Sequence, residues 1–95
     1  MMLQVTQQPD GISLSGRLTA RYVHLAFQNP PKFSEAECVI DFNGVEKADS
    51  AGLALLVYWM KQARLASCEI VCRNVPANLK EVAELAGVSS IFDGS

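Results

Sequence analysis

A chain of 95 residues with net charge −2, 49 % hydrophobic and 19 % charged residues, is one small folded domain (residues 1–95), not a disordered segment. Its 8 basic and 10 acidic side chains are interspersed, and the densest basic pair, Arg17 with Arg21, is too thin for nucleic acid or a polybasic membrane patch. The longest apolar run, residues 52–60, falls far short of the ~20 residues that span a bilayer.

The opening segment Met1-Met2-Leu3-Gln4-Val5-Thr6 lacks the charged and apolar regions of a signal peptide, so a cytoplasmic chain without direct membrane insertion is expected. The odd number of cysteines, 3, agrees with a reducing compartment.

Residues 3–6 read as a short strand and Gln7-Gln8-Pro9-Asp10-Gly11 as a turn. Residues 12–16 alternate apolar and polar, which predicts a half-buried strand paired with the first in a hairpin. Thr19 is placed to cap a helix over residues 20–28, with Val23, Ala26 and Phe27 at helical spacing and Asn29-Pro30-Pro31 ending it. Residues 37–42 are nearly all apolar, the pattern of a central strand covered on both faces, and Asn43-Gly44 then predicts a turn.

Residues 51–66 form the best-marked helix pattern, and residues 69–72 the next strand. Cys68 and Cys72, four apart, share a face there and read as buried thiols, since no His lies near them and the spacing is not that of zinc ligands. Val75-Pro76-Ala77-Asn78 opens a last helix with Leu79, Val82, Ala83, Leu85 and Ala86 on its apolar side and Gly87 beyond its end. Val88, Ile91 and Phe92 then fold back over the core. The order predicts an α/β fold: a small mixed sheet, an N-terminal β-hairpin followed by βαβαβα with parallel strands.

The polar step Asp49-Ser50 lies past the carboxyl end of a strand, where open α/β sheets place their functional surface. As N-cap residues, Asp49 and Ser50 accept from free backbone N–H groups, a role worth ~1 kcal/mol. Winding residues 51–66 at 3.6 per turn puts Leu53, Leu56, Val57, Met60 and Ala63 toward the sheet, and Leu55, Tyr58, Trp59 and Gln62 on the opposite side. That side predicts an exposed apolar patch beside Ser50. The candidate partner-binding residues are therefore Asp49, Ser50, Ala51, Leu55, Tyr58, Trp59 and Gln62, with Ser50 as a phosphorylation switch. An unpartnered patch around Trp59 also allows the isolated chain to pair with itself.

Catalytic residues, metal ligands and cofactors are not expected. His24 has no acid partner for a triad, Asp10, Asp41 and Asp49 sit at separate junctions, and neither glycine-rich nucleotide motif occurs.

Leu14-Ser15-Gly16, Val39-Ile40-Asp41-Phe42, Asp49-Ser50-Ala51-Gly52-Leu53 and the ending Leu85-Ala86-Gly87-Val88 with Ile91-Phe92 resemble the STAS domain family over nearly the whole chain. Asp-Ser-Ala-Gly-Leu-Ala-Leu-Leu is most similar to the MlaB-like members, the small STAS subunits of the Mla phospholipid transport complex. The resemblance implies a non-enzymatic regulatory subunit, cytoplasmic but peripheral to the inner membrane through its complex. It would bind an MlaF-like ABC ATPase, and through it an MlaE-like permease, in a system that maintains outer-membrane lipid asymmetry.

By position, Ser50 matches the family's phosphoacceptor or hydroxyl site, and the helix from Ala51 the partner-contacting element. Where members often carry Gly-Glu-Leu-Asp, this chain has Gly16-Arg17-Leu18-Thr19, without either acid. That departure favours the transporter subunit over the alternative the resemblance also implies, an anti-sigma-factor antagonist controlled by phosphorylation of Ser50. A small enzyme using Ser50 as nucleophile lacks a base in the sequence.

Overall fold

The computed structural model describes residues 2–92. Strands β1 (Gln4–Gln8) and β2 (Gly11–Leu18) form the expected antiparallel hairpin, turning at Pro9 and Asp10. The chain continues through α1 (His24–Gln28), β3 (Glu37–Ala48), α2 (Ser50–Leu65), β4 (Glu69–Arg73), α3 (Ala77–Leu85) and a closing 3-10 turn (Ser89–Phe92). The sheet order is β1-β2-β3-β4, with β2, β3 and β4 parallel to one another.

Register explains the core. Ile12 sits beside Ile40, and Ile40 beside Cys72, so these side chains share one face with Leu14 and Phe42. Buried residues of all three helices, among them Val23, Ala26, Leu53, Leu56, Leu79 and Ala83, join the same cluster. The fold is therefore two layers, with the helices on one side of the sheet. Among the described residues no helix covers the other face, which carries Thr6, Ser13 and Asp41.

This corrects the expectation that β3 is covered on both faces. Val39 is nonetheless buried on the open side, between Gly11 and Val71 of the neighbouring strands. A continuous apolar run here reflects a central position in the sheet rather than a second helical layer.

Two further local expectations change. Asn43-Gly44 is not a turn, since β3 runs on to Ala48. Ser13 faces Asp41 but Ser15 faces Gly44, and Gly16 faces Val45 but Arg17 faces Lys47, so β3 takes one extra residue at each of two bulges. The Asp41 carboxylate fixes the first bulge, accepting from the Asn43 N–H at 2.9 Å and the Asn74 side-chain amide at 3.0 Å.

Helix α1 is shorter than predicted. The Thr19 carbonyl accepts from Tyr22 and Val23 N–H groups at 2.9 and 3.1 Å, closing a turn before the helix, so Thr19 does not cap it.

The last described residues fold back over the core as expected. Gly87, at φ +77°, ends α3 in the left-handed region. Phe92 is buried edge-on against Phe42, with ring centroids 6.4 Å apart. Leu85, however, is exposed, because only Leu79 and Ala83 of α3 point fully into the core.

Candidate partner-binding surface at the mouth of helix α2

Asp49 joins β3 to α2 in an extended conformation and spends its carboxylate on backbone groups. Oδ1 accepts from the N–H groups of Ala51 at 2.9 Å and Gly52 at 3.2 Å, and Oδ2 accepts from the Ala20 N–H at 3.1 Å. The Asp49 N–H donates to the Leu18 carbonyl at 3.2 Å. One residue thus caps the helix and ties its mouth to the end of β2 and to the loop leading into α1. Gly52 permits the close approach: a Cβ there would overlap the Leu18 carbonyl and lie 2.7 Å from Leu18 Cγ.

Ser50 is the first residue of α2 and is exposed. Its hydroxyl makes no hydrogen bond to any described residue, and it stands at the positive end of the helix dipole. The two residues that sequence alone treats together are therefore distinct: Asp49 is the cap, and Ser50 leaves its hydroxyl exposed and unbonded to any described residue. Ala51 is half-buried beside them.

The predicted outer face of α2 needs correction. Leu55 and Trp59 are fully buried, each 0 % exposed, so neither lies on a surface patch. Val57, assigned to the sheet, is 43 % exposed. The reason is that α2 packs against α1 on one flank and α3 on the other as well as on the sheet, so more than half of its circumference is covered.

The real outward stripe is Ser50, Ala54, Val57, Lys61 and Leu65, rotated by close to one residue step, about 100°, from the expected one. Tyr58 and Gln62 are half-buried at its edge, and the Tyr58 ring packs against Phe27 of α1 at a tilt of 42°, with ring centroids 5.4 Å apart. Self-pairing through a Trp59 patch loses its basis, since that indole is in the core.

The other titratable groups do not assemble a site. His24 is exposed at the start of α1. Among the described residues no group of His, Cys, Asp and Glu could hold a metal ion. Burial raises the pKa values of the thiols of Cys38, Cys68 and Cys72, that of Cys72 to about 11, so they stay protonated near neutrality. Hydrogen bonds from Asn74 and from the Asn43 backbone hold the Asp41 acid below the usual range.

A four-stranded mixed sheet with one helical layer and a capped helix mouth past a strand's carboxyl end defines a STAS-type domain. The solved structure of the anti-sigma factor antagonist SpoIIAA in its unphosphorylated form has this fold. It matches with a TM-score of 0.62 over 87 % of this chain and 82 % of that chain, at 15 % identity. No curated protein matches the sequence. The chain belongs to the family described as "Mlab, STAS domain", which matches residues 1–93.

Proposed function

We propose that this chain is a non-enzymatic regulatory subunit that binds and stabilises the MlaF-like ATPase of an ABC-type phospholipid transport system. Through that ATPase it sits beside an MlaE-like inner-membrane permease, in the cytoplasm, and serves outer-membrane lipid asymmetry. The observation that carries the reading is the exposed Ser50 hydroxyl, unbonded to any described residue, at a capped helix mouth beside the stripe of Ala54, Val57, Lys61 and Leu65.

Apolar side chains with one cation beside a hydrogen-bonding hydroxyl suit a protein partner. Tyr58 and Gln62 border the contact; Asp49 and Ala51 shape its mouth; Leu55 and Trp59 support it from the core. No helix among the described residues is long and apolar enough to cross a membrane, in keeping with attachment through a partner.

Co-expression with the MlaF-like ATPase tests this. Wild type co-purifies with the ATPase, and Val57→Asp, which alters an exposed position, releases it while remaining folded by circular dichroism. Retention of the ATPase by folded Val57→Asp removes this surface from the proposal.

The second reading, an anti-sigma-factor antagonist switched at Ser50, is favoured by the exposed hydroxyl and by the fold shared with SpoIIAA. A phosphate on Ser50 would be attracted by the helix N-terminus and repelled by Asp49, leaving the fold little changed while obstructing an apolar contact. Incubation with the cognate serine kinase and ATP, followed by intact mass, decides: absence of phosphate on Ser50 eliminates this reading.

A further inference from the structure

At the β1 edge of the sheet the neighbouring helix is the five-residue α1. Between β1 and α1 lies a groove of about 740 Å³, within the range of small-molecule sites. Its floor includes Leu3 and Val5, and Leu25 forms part of its wall. Val5 and Leu25 are 40 % and 53 % exposed, so this apolar lining faces solvent.

Arg21, His24 and Lys32 also line the groove, and no carboxylate does among the described residues. In a chain of net charge −2 that is a local reversal of sign. None of the three is in an ion pair with a described residue. The Arg21 guanidinium lies 5.7 Å from the centre of the Tyr22 ring, which steadies it without using its hydrogen-bond donors.

We propose that this groove binds a single-chain anionic lipid, a long-chain carboxylate, with its hydrocarbon along Leu3, Val5 and Leu25 and its head group held by Arg21 and Lys32. Apolar lining accounts for the tail, and Arg21 and Lys32, neither in an ion pair with a described residue, account for the charge, although Lys32 also borders the neighbouring pocket that holds Asp10, Glu35 and Glu37. A second copy of the chain fits less well, because a symmetric contact would bring both sets of cations together. The groove is separate from the outward stripe of α2, so its test uses the isolated chain and does not depend on the ATPase.

Titration of the isolated protein with dodecanoate below its micellar concentration, by calorimetry and by amide chemical shifts, is the test. The expected result is saturable one-to-one binding with shifts centred on Val5 and Leu25. Arg21→Gln with Lys32→Gln weakens it at least tenfold, Leu25→Glu abolishes it, and dodecanol, the uncharged chain of equal length, binds at least tenfold more weakly. Because Arg21, Lys32 and Leu25 are exposed, these variants stay folded by circular dichroism. No saturable binding, equal affinity for dodecanol, unchanged affinity in folded Leu25→Glu, or a groove filled by a dimer that excludes dodecanoate would each overturn the proposal.

Discussion

Replacing Asp49 by Ala removes the acceptor for Ala51 and Gly52 at 2.9 and 3.2 Å and the tether to the Ala20 N–H at 3.1 Å. Loss of an N-cap costs ~1 kcal/mol. Loss of a negative charge at a helix N-terminus adds roughly 0.3–1 kcal/mol. The tether is partly solvated and is worth about 1 kcal/mol. The contributions share one carboxylate, so their sum of about 2–3 kcal/mol is an upper bound on the combined loss.

For a domain of this size each kcal/mol moves Tm by roughly 4–8 °C, so Asp49→Ala is expected to melt lower, by up to roughly 10–20 °C. Asp49→Asn keeps one capping oxygen but turns a donor toward the Ala20 N–H, and loses about half as much. Ser50→Ala, which breaks no hydrogen bond to a described residue, stays within about 0.5 kcal/mol of wild type. Urea unfolding followed by the fluorescence of Trp59, the single and fully buried tryptophan, measures all three. An Asp49→Ala variant as stable as wild type, or a Ser50→Ala variant as unstable as Asp49→Ala, would refute this division of roles.

Gly52→Ala drives a Cβ onto the Leu18 backbone and is expected to destabilise by ~1–3 kcal/mol or more, read as a lower Tm; an unchanged Tm would deny the close approach of α2 to β2. The lowered acid of Asp41 contributes stability above the ordinary carboxylate range, and that contribution is lost as pH falls through the depressed value. Asp41→Asn should therefore flatten the acid limb of the stability curve measured in urea. For the raised thiol of Cys72 the sign is opposite: its contribution is complete below pH 9.0 and is lost as pH rises toward about 11. Cys72→Ala should remove that alkaline loss, although it starts from lower stability. In the native protein at pH 7 the thiols should resist iodoacetamide and react once urea unfolds the chain, as intact mass would show.

The sheet and the element order were legible because their signals are local. Period-two alternation over Ile12-Ser13-Leu14-Ser15-Gly16 and the Pro9-Asp10-Gly11 turn define the hairpin without tertiary help. The Asp49 cap was legible too, but not its separation from Ser50, which depends on Ala20, a partner 29 residues away.

The rotation of α2 was not legible. Leu53, Leu55, Leu56, Val57, Tyr58, Trp59 and Met60 place apolar groups around most of the helix, so periodicity alone leaves its phase open. The flanking contacts with α1 and α3 select the buried side. Asn43-Gly44 carries the composition of a turn, yet pairing of β3 with β2 holds it as a bulge. The groove beside β1 had no sequence signal, since Leu3, Val5, Arg21 and Lys32 converge only when the hairpin meets α1.

The proposed regulatory role is tested most directly by measuring the affinity of the purified chain for the MlaF-like ATPase, with folded Val57→Asp as the comparison. Nanomolar to micromolar binding by wild type, weakened at least tenfold by Val57→Asp, is the predicted result. No binding by wild type, or equal binding by the two, would contradict an ATPase-docking surface on the outward stripe of α2.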